Sequence, residues 1–266
     1  AGVLAVMSAG VIPPPFDSDR LLLAERADWA QARVCATARA VLLVRPSLQG
    51  DILFARGDAS DALDLLEAEG RLRRRTAAEP ALWLSAPRLL DMPAQVLDTL
   101  SLTAFPQWDW LSIAHAPATP VLRAGVVMRE LDRAAEASVV HEVLRRANPR
   151  STADPLGDPE VAWWGSFLDE ELVGVFGARL EQGGSDASFS WHLHGLAVVE
   201  EARGQGLGAA LTAALTREGL ARGADWVSLG IYAENDGARR LYQRLGFEVL
   251  AEMSSYGPTS ATRPLK

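Results

Sequence analysis

Residues 189–209, Phe-Ser-Trp-His-Leu-His-Gly-Leu-Ala-Val-Val-Glu-Glu-Ala-Arg-Gly-Gln-Gly-Leu-Gly-Ala, constrain the fold more than any other stretch. They open as an apolar strand, Trp191 to Val199, free of proline and weakened only by Gly195. The chain then turns through Glu200-Glu201-Ala202 into a loop holding Arg203, Gly204, Gln205, Gly206 and Gly208. From Leu207 the period becomes helical, with Leu207, Leu211 and Leu215 at i, i+4, i+8. A strand, a glycine-rich turn and a helix N-terminus make an anion site. The first N–H groups of a helix lack intrahelical partners, and the helix dipole adds partial positive charge. Glycines let the backbone approach an anion without Cβ clashes. The stretch predicts a phosphate-bearing ligand.

Two familiar phosphate loops do not fit. Gly204-x-Gly206-x-x-Ala209 has the spacing of the dinucleotide fingerprint, but that fingerprint follows its strand directly. Here Glu200, Glu201 and Arg203 intervene, and the next strand, Trp226 to Ile231, ends without a ribose-binding acid. A P-loop needs a lysine after its glycines, and Lys266 is the only lysine in the chain. The same absence excludes Schiff-base chemistry on an internal lysine.

Arg203-x-x-Gly206-x-Gly208 instead resembles the R/Q-x-x-G-x-G/A loop of the GCN5-related N-acetyltransferases, the GNAT superfamily. Downstream, Asn235-x-x-Ala238-x-x-Leu241-Tyr242-x-x-x-Gly246-Phe247 resembles that family's second signature. Two signatures in order over residues 190–250 make the likeness specific. It implies an acetyl-CoA site without metal. The loop from Arg203 through Gly204, Gln205, Gly206 and Gly208 to Ala209 would hold the pyrophosphate. The backbone of Leu196, Ala197, Val198 and Val199 would pair with the pantetheine arm and polarise the thioester carbonyl, which requires the strand to splay from its neighbour. Asn235 would contact pantetheine, and it is also a good N-cap for the next helix.

Acetyl transfer to an amine needs proton removal, a polarised carbonyl and a departing thiolate. An amine with a pKa near 10.4 is less than about 0.1% neutral at pH 7, so a base helps. His192 and His194 lie two apart on one strand, hence on one face if Gly195 leaves the register intact. Trp-His-Leu-His-Gly-Leu-Ala-Val resembles the corresponding strand of arylalkylamine N-acetyltransferases, where two histidines so placed serve in proton removal. The alternative is a pair of hydrogen-bonded core histidines. Glu200 and Glu201 are other bases by type, but they sit in the turn, where solvent reaches them. Tyr242 falls with Ala238, Leu241 and Leu245 at i, i+3, i+4, i+7, the pattern of a core residue. The resemblance gives it the role of general acid.

Elsewhere the chain predicts less. At 266 residues, with 48% apolar and 23% charged residues, it suits one large or two smaller globular domains. A net charge of −8 argues against nucleic-acid binding. A single cysteine, Cys35, in an alanine-rich, helical-looking segment reads as a buried thiol and fits a reducing, cytoplasmic setting. Four histidines and one cysteine give no zinc spacing. No stretch approaches the roughly 18 apolar residues of a membrane span, and Ala1 to Val11 lacks a basic leader. The domains read as a tail at 1–16, an N-terminal α/β domain without a legible catalytic motif at 17–113, a linker at 114–122 and the GNAT domain at 123–266. In the N-terminal domain we expect a helix from Asp17 towards Arg39, strands at 41–44 and 51–56, and a helix capped near Asp58 and closed by Gly70. Arg71 to Arg75 forms the only basic run, a solvated element end or an aid to CoA's phosphates. The fold class expected is α/β (α+β): a GNAT fold with a mixed, splayed sheet, and an N-terminal α/β domain compatible with a degenerate GNAT-like copy. The activity expected is N-acetyl transfer in a ternary complex. The alternatives are a CoA-binding regulator without turnover and, with NAD, an oxidoreductase. The acceptor amine is not legible.

Overall fold

A computed structural model describes residues 5–7, 10–76, 78 and 81–261. The elements run β1 (Ala5–Met7), α1 (Arg20–Ala24), α2 (Arg26–Trp29), β2 (Arg33–Ala36), β3 (Ala40–Arg45), β4 (Asp51–Gly57), α3 (Ala59–Thr76), β5 (Ala81–Pro87), α4 (Ala94–Leu100) and β6 (Thr103–Ile113). There follow β7 (Val126–Glu130), α5 (Ala137–Ala147), β8 (Glu160–Leu168), β9 (Glu171–Gln182), β10 (Phe189–Val198), α6 (Leu207–Ala221), β11 (Val227–Tyr232), α7 (Asp236–Arg244) and β12 (Glu248–Gly257). The described chain forms two compact units that are not contiguous in sequence. The first is Ala1–Trp110 with Tyr232–Glu234 and Leu250–Lys266; the second is Leu111–Ile231 with Asn235–Val249. The expected linker at 114–122 is irregular chain between β6 and β7, but each unit also takes chain from the far side of it.

In the first unit β2, β3 and β4 form an antiparallel meander, and β5 lies parallel to β4. The end of β12 then pairs antiparallel with β5, from Met253↔Pro87 to Tyr256↔Leu84. Asp58 starts α3 by accepting from the N–H groups of Ser60 and Asp61 at 3.0 and 3.1 Å. The helix lays Ala62, Leu65 and Leu66 onto a core with Leu42, Leu53, Leu84 and Tyr256.

Several expectations fail here, each for a tertiary reason. The expected helix to Arg39 stops at Trp29, and Cys35 lies in β2 opposite Leu42. Alanine content favours a helix, but Val34, Cys35 and Ala36 find buried partners along β3. Cys35 is buried as expected, and burial pushes its thiol up. Gly70 does not close α3, which continues to Thr76. A Cβ at Gly70 would lie 3.1 Å from Thr99 Cγ2, so the glycine admits α4 rather than ending a helix. The basic run is consumed locally. Arg73 is buried against Glu69 (2.8 Å) and Asp51 (2.5 Å), while Arg71 meets Glu67 and Arg74 meets Thr99. Within the expected tail, residues 5–7 form β1, paired antiparallel with β2.

In the second unit β7, β8, β9 and β10 are sequentially antiparallel, and β11 lies parallel to β10. One core gathers Leu211 and Leu215 of α6 and Tyr242 of α7 around Trp191 and Leu193. Another gathers Val140, Val143 and Leu144 of α5 around Trp163, Val175 and Ala197. α5 is regular only from Ala137, because the Asp132 carboxylate first turns the chain through the N–H groups of Ala134 and Ala135.

Two stretches of the chain share an order that no residue pattern shows. The series β2-β3-β4-α3-β5-α4-β6 and β8-β9-β10-α6-β11-α7-β12 have the same plan: three antiparallel strands, a helix, a strand parallel to the third, a helix and a strand.

Candidate active site

The site is built where β10 leaves β11. The two strands pair from Trp191↔Val227 to Leu193↔Leu229, and the register goes no further although both continue. The cause lies in β10 itself. Gly195 has φ +72°, and the register with β9 shifts between His194 and Ala197, a bulge that bends the strand. A side chain at 195 would put Cβ 2.7 Å from Ala153 Cβ and 3.1 Å from the Trp163 ring. Conformation and space both demand glycine there.

Beyond the bulge the backbone is asymmetric. Val199 N–H donates to Val173 O at 2.9 Å, so Ala197 and Val199 address β9. By alternation Leu196 and Val198 address the opening left by β11. Asn148 Nδ2 donates to Leu196 O (3.2 Å), and Arg203 Nε donates to Val198 O (3.0 Å). Arg203 also reaches Ala147 O at the end of α5 (3.2 Å), so its guanidinium ties the loop to β10 and to a helix C-terminus.

The loop then delivers the start of α6. Gly204 and Gly206 have φ of +75° and +79°, with nothing within 4 Å of a Cβ at either. Gly206 is the N-cap and offers no side-chain cap. The first bond of the helix ladder is Ala210 N–H to Gly206 O, which leaves the N–H groups of Leu207, Gly208 and Ala209 ahead of it. The corresponding start of α3 in the first unit is closed by the Asp58 carboxylate. One helix start is open to an anion, and the other already carries one. Gln205 has a buried side-chain oxygen without a partner. A Cβ at Gly208 would lie 3.5 Å from Leu241 and 3.7 Å from Leu196, so loop, splayed strand and α7 converge.

Asn235 caps α7, its Oδ1 accepting from Ala238 N–H at 3.1 Å. Tyr242 is 5% exposed, its ring 5.8 Å from that of Phe247. Burial raises its phenol far above the ordinary value, so the hydroxyl stays protonated.

His192 and His194 precede the bulge, so they keep one face of β10, opposite to Trp191 and Leu193. His192 Nδ1 lies 3.0 Å from Ser228 Oγ. His194 Nε2 lies 2.7 Å from Glu160 Oε1, and the ring stands edge-on to Trp163 at 5.8 Å. Two buried carboxylates that the sequence reading passed over flank the pair, Glu160 (7% exposed) and Glu181 (9%). Burial pushes the Glu181 carboxyl above the usual range, while Arg179, 2.7 Å away, and the His194 ring pull it back. Glu160 opens β8 and Glu181 lies next to the end of β9, so each charge sits at a strand end, where a solvated side chain is the ordinary expectation. Glu200 and Glu201 are exposed. Among the described residues no helix is long and apolar enough to cross a membrane.

Comparison with known proteins agrees with this geometry. The family model described as the acetyltransferase (GNAT) family matches residues 127–247. A search of curated proteins found no match. Among solved structures, a GCN5-related N-acetyltransferase from Kribbella flavida is similar with TM-score 0.58 and 21% identity, covering 92% of this chain and 96% of its own. A second, from Sphaerobacter thermophilus, gives TM-score 0.55 and 16% identity over 95% and 94%. A tandem GNAT protein from the clavulanic acid biosynthesis pathway gives TM-score 0.50 and 15% identity over 85% and 81%. At these identities the likeness is one of fold, and in two of the three it spans nearly the whole chain. The C-terminal half of the chain, through residues 127–247, is thus of the acetyltransferase (GNAT) family.

Proposed function

We propose that the protein transfers the acetyl group of acetyl-CoA to an amine, by direct attack in a ternary complex. The observation that carries the reading is the parting of β10 from β11 beside the uncapped, glycine-rich start of α6. A pyrophosphate suits N–H groups that no protein group has claimed. The outward-facing backbone of Leu196 and Val198 suits a pantetheine amide chain, with Ala197 and Val199 holding the opposite edge to β9. The amine nitrogen bonds to the thioester carbon, its proton passes to a base in the His192/His194 pair, and the C–S bond breaks. The thiolate leaves with the electron pair and takes a proton from Tyr242. The first unit, with its shared strand order and its carboxylate-capped helix, is on this reading a GNAT-like domain that binds no CoA. A single buried cysteine accords with a reducing, cytoplasmic setting.

Acetyl-CoA at a hundred times its dissociation constant should stabilise the folded protein by about 2.7 kcal/mol. Gly206→Glu places a carboxylate where the pyrophosphate would sit and should abolish the shift. Each protein is compared with itself, with and without ligand, so backbone strain at φ +79° does not enter the comparison. Equal shifts in wild type and variant would refute the site.

Replacing both His192 and His194 by glutamine should lower kcat at least about a hundredfold, the lower end of the roughly 10²–10⁴ a positioned base supplies. It should also flatten the rise of rate on the acidic side of the pH profile. A double variant with wild-type rate and profile would leave proton removal to solvent or to the free amine.

A further inference from the structure

We propose that Glu160 is the positioning residue that makes His194, rather than His192, the ring that takes the amine proton. The proposal rests on the acetyl-transfer reading above. Place separates the two histidines first. His192 lies inside the stretch where β10 still pairs with β11, opposite Ser228, whose hydroxyl oxygen meets its Nδ1. His194 is the first residue beyond the last pair, Leu193↔Leu229, and the last before the bulge. It therefore stands at the mouth of the splay, two residues from Leu196.

The surroundings of His194 then fix its orientation. Glu160 opens β8, and its Oε2 accepts from Trp163 Nε1 at 2.8 Å. That anchor leaves Oε1 2.7 Å from His194 Nε2. The same Trp163 stands edge-on to the imidazole, so one residue orients both carboxylate and ring. Nε2 is buried, and the approach of Glu160 is too bent to count as a hydrogen bond. Its distance still decides the tautomer. Even off-axis, a carboxylate oxygen 2.7 Å away repels a lone pair on Nε2 and attracts an N–H there, so the proton sits on Nε2 and the lone pair on Nδ1. Bent contacts of this kind in a ligand-free site commonly straighten in the reacting complex. As the nitrogen–carbon bond forms, the amine proton moves to Nδ1, and the C–S electron pair leaves with the thiolate. The Glu160 carboxylate faces the imidazolium so produced.

The test is the imidazole tautomer, read by nitrogen-15 NMR, together with steady-state kinetics. In the wild type His194 should carry its proton on Nε2; an Nδ1-protonated ring would overturn the proposal without any variant. Glu160→Gln keeps the volume and an oxygen for Trp163 Nε1 but removes the negative charge. It should mix the His194 tautomers and lower kcat about tenfold to a hundredfold, part of what a general base supplies. KM for acetyl-CoA should not move, and Glu160→Asp should recover part of the rate. His194→Gln should cost at least tenfold more in kcat than His192→Gln. A Glu160→Gln variant with wild-type tautomer and kcat, or equal losses at the two histidines, would overturn the assignment. If the wild type binds acetyl-CoA and acetylates no amine while Glu160→Gln still shifts the tautomer, acetyl transfer is the reading that has failed and the pairing of Glu160 with His194 stands.

Discussion

A chain ending at Val249 is expected to lose the amide-exchange protection of β3, β4 and β5. The lost segment carries Met253 and Tyr256, both buried in the first unit, and four residues that pair with β5. It also carries the hydroxyls of Ser254 and Ser255, which accept from Gln107 and from the Trp108 indole at 3.2 and 3.0 Å. Burying two large side chains contributes roughly 1.5–3 kcal/mol each. Leaving one edge of β5 and the Trp108 N–H unpaired adds about 1–3 kcal/mol for each group that water does not reach. The sum is comparable to the whole stability of an ordinary domain, about 5–15 kcal/mol. Hydrogen exchange resolved by peptide checks this directly. Protection over residues 40–87 equal to that of the full chain would show that the first unit's sheet is self-sufficient.

That dependence marks the limit of what the sequence could convey. Strand partners such as Leu84 and Tyr256 lie far apart in the chain, and nothing local in either announces the other. The shared strand order of the two stretches is hidden for a related reason. The start of α6 has no side-chain cap and follows glycines at positive φ, so the loop before it has a signature, and the turn before α3, closed by its own carboxylate at Asp58, has none. Where chemistry dictated residue types, the reading was close. The helical period that begins at Leu207 runs to Ala221, and the strand expected at Trp226 to Ile231 is present as β11. The His192/His194 face survives because the bulge begins just after it. The buried partners Glu160 and Glu181 were illegible because a strand's alternation tells which face a charge occupies, not what awaits it there. Cys35 went to a helix because alanines such as Ala30, Ala32 and Ala36 outvoted Val34, while in the fold β3 supplies buried partners that no local window contains.

Tyr242→Phe should lower kcat by about 10²–10⁴, the usual loss on removing a general acid. The signature puts the hydroxyl, by resemblance, beside the CoA sulfur. The structure supplies two conditions that such a role needs. α7 meets the loop and the splayed strand through Leu241, adjacent to Tyr242. Burial raises the phenol's pKa, so near neutral pH it is protonated and able to donate. Protonation is useful without being indispensable, because a thiol of pKa about 8.5 is a tolerable leaving group. That places the expected loss within the range and not beyond it. Phenylalanine keeps the ring, its contact with Phe247 and its place among Ala238, Leu241 and Leu245, and removes only the oxygen. Melting temperature and acetyl-CoA affinity should therefore stay near those of the wild type while kcat falls. A purely structural hydroxyl predicts the reverse, a lower melting temperature with kcat of the folded fraction unchanged. Measuring all three quantities on one preparation separates the two. A fully active Phe variant would mean that Tyr242 serves the core alone and that the thiolate departs unaided.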